Sequence, residues 1–278
     1  MKTISVNSIT HEVAKLCHKA NTKLPHDVFA ALEKGLLKET NPRAKKVLEK
    51  IVENARFASK QALPLCQDTG FVVCFVDIGQ EVVLIDGPIE AAIQEGIRMG
   101  YRNLRKSIVI DPLNRINTSD NTPGIIHYRI VPGSNIKIIL FPKGGGAENV
   151  SKFKVLVPTA GKKEIADFVL QTVVDAGGKP CPPIIVGIGI GGTAEKTFEI
   201  AKRSLFRMVG NRNEDSFWAQ FEEELEQDIN KTGIGPAGLG GCLTCLAVHI
   251  ETMPCHIASL PVAVNIQCHA ARHAECIL

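Results

Sequence analysis

Phe71-Val72-Val73-Cys74-Phe75-Val76-Asp77-Ile78 is the stretch on which the reading of the fold turns. Eight residues, nearly all apolar and rich in valine, are too few for a buried helix and suit a strand covered on both faces. Immediately before it stands Pro64-Leu65-Cys66-Gln67-Asp68-Thr69-Gly70, a thiol, an amide, a carboxylate and a hydroxyl in four consecutive positions. After it, Val82–Ile85 reads as a partner strand. Ile89, Ala92, Ile93 and Ile97 then recur at helical spacing behind Pro88.

Towards the N-terminus the period changes to 3.6. Ile9, Val13, Leu16 and Ala20 mark one helix, and Val28, Phe29, Leu32, Leu36 and Leu37 a second. A third opens at Asn41-Pro42, a cap residue followed by proline at the first helical position. Downstream, Ile125–Val131, Ile136–Phe141, Pro182–Ile190, Leu246–Ile250 and Val262–Ile266 read as strands, and Glu164–Ala176, Ala194–Met208 and Glu214–Ile229 as helices. Helices first and then alternating strands and helices imply an α/β (mixed α+β) protein. We expect a single catalytic domain over 1–278, with a helical segment at 1–60 and a mixed α/β part at 61–278.

Composition narrows the function. Of 278 residues, 45% are hydrophobic and 22% charged, a globular balance, and the net charge of +3 is too small for a nucleic-acid surface. No apolar run approaches the ~20 residues of a membrane span. The first residues lack a secretory apolar core, so a cytoplasmic location is expected. Nine cysteines, an odd and irregularly spaced set, do not read as a disulfide framework.

Several groups of residues could carry chemistry. In Cys66-Gln67-Asp68 a thiolate could bind a soft metal centre and the adjacent carboxylate could move a proton, although Asp-Thr-Gly is also ordinary turn chemistry. Lys143-Gly144-Gly145-Gly146 exposes backbone N–H groups that can cradle a carboxylate. Pro180-Cys181-Pro182-Pro183 holds one thiol in rigid backbone. Gly187-Ile188-Gly189-Ile190-Gly191-Gly192 matches the dinucleotide pattern, but no second strand with an acidic end follows at the required distance. A tight strand-to-helix turn close to some anion fits it better. Cys242-Leu243-Thr244-Cys245 with Cys255-His256 invites a zinc reading that the spacing does not support. Cys268-His269-Ala270-Ala271-Arg272-His273 lacks the glutamate of a zinc-protease helix.

Taken in order, Pro64–Gly70, Leu104-Arg105-Lys106-Ser107, Lys143–Gly146, Cys181-Pro182-Pro183, Gly187–Thr193 and Pro261–Cys268 resemble the alpha subunit of the iron–sulfur class I fumarate hydratases and the related L-tartrate dehydratases. The resemblance spans nearly the whole chain. It implies that Cys66, Cys181 and Cys268 hold a 4Fe-4S cluster, leaving one iron open as a Lewis acid. It implies that Asp68, assisted by His256, is the acid partner to the departing hydroxide. Gln67, Arg105, Gly144 and Gly145 would contact a small dicarboxylate. The expected activity is reversible hydration of fumarate to malate, with tartrate dehydration as the alternative. The chain ends ten residues after Cys268, where single-chain members continue, so a separate beta subunit supplying the opposing base is expected. A non-catalytic cluster- or metal-binding scaffold and a nucleotide-binding oxidoreductase are the readings from other classes.

Overall fold

The computed structural model describes residues 1–278. In chain order the elements begin with β1 (Lys2–Ser5), α1 (Val6–Thr22), α2 (His26–Lys38), α3 (Pro42–Gln61), β2 (Phe71–Gly79), β3 (Val82–Ile85) and α4 (Ile89–Gly100). They continue with β4 (Ile125–Val131), β5 (Ile136–Lys143), α5 (Gly145–Glu148), β6 (Lys152–Leu156), α6 (Lys162–Ala176) and β7 (Ile184–Gly191). The chain closes with α7 (Ala194–Ser204), α8 (Ser216–Lys231), a short 3-10 turn at Pro236–Gly238, β8 (Cys245–Met253), β9 (Leu260–Gln267) and β10 (Ala274–Ile277). The mixed α/β class is as expected, and no helix is long and apolar enough to cross a membrane. Two compact units form: the first from Met1–Pro25, Ala55–Gly145 and Arg272–Leu278, the second from His26–Asn54 and Gly146–Ala271.

In the first unit the apolar stretch Phe71–Gly79 is central. β2 lies between β4, parallel to it, and β5, antiparallel, in the order β10-β5-β2-β4. Val72, Val73, Cys74, Phe75 and Val76 are all buried. Helices α1 and α4 cover the sheet with Ile9, Val13, Leu16, Ala20, Ile93 and Ile97, the residues that their spacing pointed to. Each fully buried valine, leucine or isoleucine among them is worth roughly 1.5–3 kcal/mol. The expected pairing of Val82–Ile85 with β2 does not form. Both edges of β2 are taken by longer partners, and β3 instead pairs in parallel with β1, which carries no clear sequence signal.

The second unit is built on a sheet of order β6-β9-β7-β8, with β7 buried along its full length. α6 supplies Ile165, Val169 and Val173 to its core, and α8 supplies Phe221, Leu225 and Ile229. The Gly187–Gly192 stretch finds its explanation here. A Cβ on Gly187 would stand 2.2 Å from the Ala201 carbonyl, and one on Gly189 2.1 Å from that of Thr197. Gly187 and Gly189 let α7 lie backbone against backbone on β7, and Gly191 and Gly192, at positive φ, make the tight strand-to-helix turn that was expected. The next strand, β8, begins only at Cys245, after two helices.

α7 also ends earlier than its apolar spacing suggests. Leu205, Phe206 and Arg207 donate to carbonyls three residues back, a tightening that ends the helix. The Arg207 guanidinium then pairs with the carboxylates of fully buried Glu222 and of Glu251. The short strands β6 and β10 were not legible, because they are only five and four residues long and charged residues interrupt each.

Candidate active site

The loop entering β2 is held from several sides by buried polar groups of the first unit. Leu65 N–H donates to the Asn21 carbonyl at 2.8 Å. The Tyr101 hydroxyl, fully buried, donates to the Thr69 carbonyl at 2.8 Å, and Asn21 Nδ2 donates to that hydroxyl at 3.3 Å. Burial pushes the Tyr101 phenol far above its ordinary range, so it remains a donor. Thr69 Oγ1 donates to the Arg105 carbonyl at 2.7 Å, tying the two predicted segments Cys66–Gly70 and Leu104–Ser107 together. Gly70 adopts φ +69°, and a Cβ there would meet Lys143 backbone at 2.6–2.9 Å, so the strand can begin only with glycine before it.

These supports place Asp68. Its Oδ1 accepts from Gly70 N–H at 2.8 Å and faces Ser107 Oγ at 3.5 Å; its Oδ2 accepts from Gly145 N–H at 2.8 Å. A carboxylate oxygen with one such bond keeps a lone pair for a proton. Gln67, Asp68, Arg105, Lys106 and Ser107 line a cleft of about 300 Å³. Gln67 and Arg105 are exposed, their side chains available to a ligand, while Gly144 and Gly145 stand at the end of β5 beside the carboxylate. Five of the expected site residues thus meet in one unit: Gln67, Asp68, Arg105, Gly144 and Gly145.

Arg272 belongs to the same place and carried no functional expectation. Only 2% exposed, it donates through Nη2 to the Asp68 carbonyl. Its one sequence signal was an arginine four residues after a candidate ligand cysteine, which is weak.

The cysteines sort by environment, none of the nine being in a disulfide. Cys17, Cys74 and Cys245 are buried, and burial raises each thiol, that of Cys74 to about 12. Cys276 is raised to about 11, first by burial and then by Glu12. These four are core thiols, as expected of Cys245. Cys242 is exposed beside Glu39, and Cys255 donates to the Ser259 carbonyl at 3.1 Å. Cys66, Cys181 and Cys268 remain accessible at loop positions.

In the second unit His269 links two of them. Its Nδ1 lies 2.8 Å and its backbone N 3.2 Å from the Cys181 carbonyl, which brings the Cys181 and Cys268 segments side by side. Cys181 holds φ +55°, a left-handed conformation unusual for a residue with a Cβ and characteristic of functional positions. Together with His269 it opens on a groove of about 540 Å³ walled by Arg43, Lys46 and Lys50 of α3. An accessible thiol on backbone fixed in this way suits a thiolate-ligated centre. No three His, Cys, Asp or Glu side chains converge as the shell of a single ion would. A cubane spreads its thiolates over separate irons, so its ligands need not share one point. His256, also in the second unit, is exposed at the turn after β8, with Nδ1 accepting from Ala258 N–H at 3.1 Å.

Comparison with known proteins identifies the family. The family model described as fumarate hydratase (Fumerase) matches residues 10–277. The putative L(+)-tartrate dehydratase subunit alpha of Methanocaldococcus jannaschii is 43% identical over 273 residues, covering 96% of both chains. The L(+)-tartrate dehydratase subunit alpha of Escherichia coli is 29% identical over 276 residues, covering 98% of this chain and 91% of the relative. That of Shigella sonnei is 28% identical over 282 residues, covering 100% and 93%. The chain therefore belongs to the fumarate hydratase (Fumerase) family, as a hydro-lyase subunit of the alpha type.

Proposed function

We propose that this chain is the cluster-bearing half of a cytoplasmic enzyme that adds water to fumarate and removes it from malate. Asp68 carries the reading: a carboxylate fixed through both oxygens by backbone donors, at the wall of a cleft that also holds Arg105 and Gln67.

In dehydration, Asp68 starts protonated and gives its proton to the departing hydroxyl oxygen. The C–O bond breaks and water leaves, while a base takes the proton from the neighbouring carbon. In hydration Asp68, as the carboxylate, receives a proton from the attacking water. His256 assists that transfer. Arg105 suits one substrate carboxylate through its planar fork, and Gln67 and the Gly144–Gly145 backbone orient the rest. Cys66, Cys181 and Cys268 would hold a 4Fe-4S cluster, which would supply Lewis-acid assistance to the leaving hydroxide. The carbon base belongs to a beta subunit, consistent with the alpha-subunit names of the relatives.

The family description supports fumarate, and the names of the relatives support L(+)-tartrate as a second substrate reading. Anaerobic reconstitution with iron and sulfide, together with the partner subunit, followed by assays on malate, fumarate and tartrate, tests both. Fumarate and malate are expected to be interconverted with the higher kcat/KM. A higher value on tartrate selects the second reading, and no turnover on any of the three overturns both. Asp68→Asn should abolish turnover while iron content stays at the wild-type level. Unchanged turnover would remove Asp68 from the acid role.

A further inference from the structure

Arg272 is buried more completely than its bonding explains. A guanidinium offers five N–H donors. Here Nη2 donates to the Asp68 carbonyl, while Nε and Nη1 have no hydrogen-bond partner. An arginine retained only to brace a loop would be expected to satisfy its donors, since a buried cation with idle N–H groups is costly and an apolar side chain of similar volume is often cheaper. Its charge therefore has a use beyond the one main-chain bond.

The negative group beside it is the Asp68 carboxylate. A Cβ built on Gly144 would lie 3.1 Å from Asp68 Oδ2 and 3.9 Å from Arg272 Nη2, so carboxylate and guanidinium flank the same corner. Arg272 is not among the residues lining the cleft at Asp68. A substrate in that cleft meets Asp68, Gln67 and Arg105, with Arg272 sealed behind the loop. The covalent path matters too. Arg272 follows Cys268 by four residues, so its grip on Asp68 ties the acid to the chain segment carrying a candidate cluster ligand.

We propose that Arg272 is the positioning residue of Asp68: it holds the loop by the Asp68 carbonyl and sets the carboxylate against Gly145 N–H by charge, without touching substrate. This rests on the hydro-lyase reading of Asp68. The alternative roles are a substrate anchor and a passive brace.

The reconstituted complex with its partner subunit separates them, using Arg272→Gln, which removes the charge, and Arg272→Lys, which keeps it if the first variant folds poorly. Arg272→Gln should lower kcat on the order of 50-fold with KM within about threefold, the signature of lost transition-state alignment. Arg272→Lys should recover part of kcat. Amide hydrogen exchange gives a readout that needs no turnover. In Arg272→Gln, protection at Gly70 and Gly145, whose N–H groups bind Asp68, should fall about tenfold while β2 amides at Val73–Val76 hold. A raised KM with kcat intact would make Arg272 a substrate anchor. Uniform loss of protection with both kinetic constants unchanged would make it a passive brace. If the wild-type complex turns over none of the three acids, the functional reading of Asp68 fails, and the exchange pattern alone decides whether Arg272 positions it.

Discussion

Gly145 N–H donates to Asp68 Oδ2 at 2.8 Å across 77 positions of sequence. The bond joins the loop before β2 to the glycine run after β5. The antiparallel register that pairs Phe71 with Lys143 makes it possible, because it sets the start of one strand beside the end of the other. An acid fixed in this way depends on small residues around it.

Gly144→Ala tests that dependence. Its Cβ would stand 3.1 Å from Asp68 Oδ2, closer than ordinary contact, so the carboxylate must yield by a few tenths of an ångström. We expect kcat to fall roughly tenfold with little change in melting temperature, because misplacement of a reacting group by even part of an ångström is costly. Steady-state kinetics beside a thermal melt of the same preparation is the measurement. Full activity would mean that the position of Asp68 is not critical.

The cysteines should divide into two classes. Cys66→Ser, Cys181→Ser and Cys268→Ser should each bring iron in the reconstituted protein close to background. Cys245→Ala should keep iron at the wild-type level and lower stability by on the order of 1 kcal/mol, since it removes only a buried sulfur. Iron analysis and urea unfolding of the four variants check both halves. Wild-type iron content in the three serine variants would contradict the proposed ligand set.

His269 should matter to the cluster through Cys181. Its ring and its backbone N both address the Cys181 carbonyl, fixing the backbone that carries the thiol. Groups that orient a metal ligand are typically worth about 10–100-fold in metal affinity. His269→Ala should speed iron loss to a chelator by about that factor, and His269→Asn, which retains a donor, should restore part of it. An unchanged release rate would reduce His269 to a surface contact.

Acid sensitivity of the second unit is expected at His249. Burial, then the charges of Arg207 and Arg212, hold its imidazole down at about 3, against an ordinary 6.5, and Nδ1 pairs with the Ser204 carbonyl at 3.1 Å. Between those two values the unfolded chain binds the proton and the folded chain does not. Stability is therefore full above about 6.5 and declines as pH falls towards 3. The loss between pH 7 and about pH 4.5 should be on the order of 2 kcal/mol. His249→Gln, which cannot titrate, should remove that component from urea midpoints followed against pH. An identical pH slope in the variant would assign the sensitivity elsewhere.

The sequence alone determined the local elements whose periodicity is long and uninterrupted. Ile9, Val13, Leu16 and Ala20 form one face of α1, Asn41 caps α3 through Oδ1, and Phe71–Ile78 is a strand, because each of these depends on neighbours within a few residues. It also drew attention to Gln67, Asp68 and the glycine run as groups able to carry chemistry, while Arg105 entered only through the family resemblance.

Partner choice belonged to the tertiary structure. β3 joined β1 because both edges of β2 were taken, and the glycines of β7 turned out to seat α7, a fact that resides in two carbonyls of another element. Arg272 became part of the site only when the fold buried it against a carbonyl 204 positions away. A pattern along the chain records which way a side chain faces. Which group it finds there depends on the packing of distant segments, and periodicity carries no trace of that.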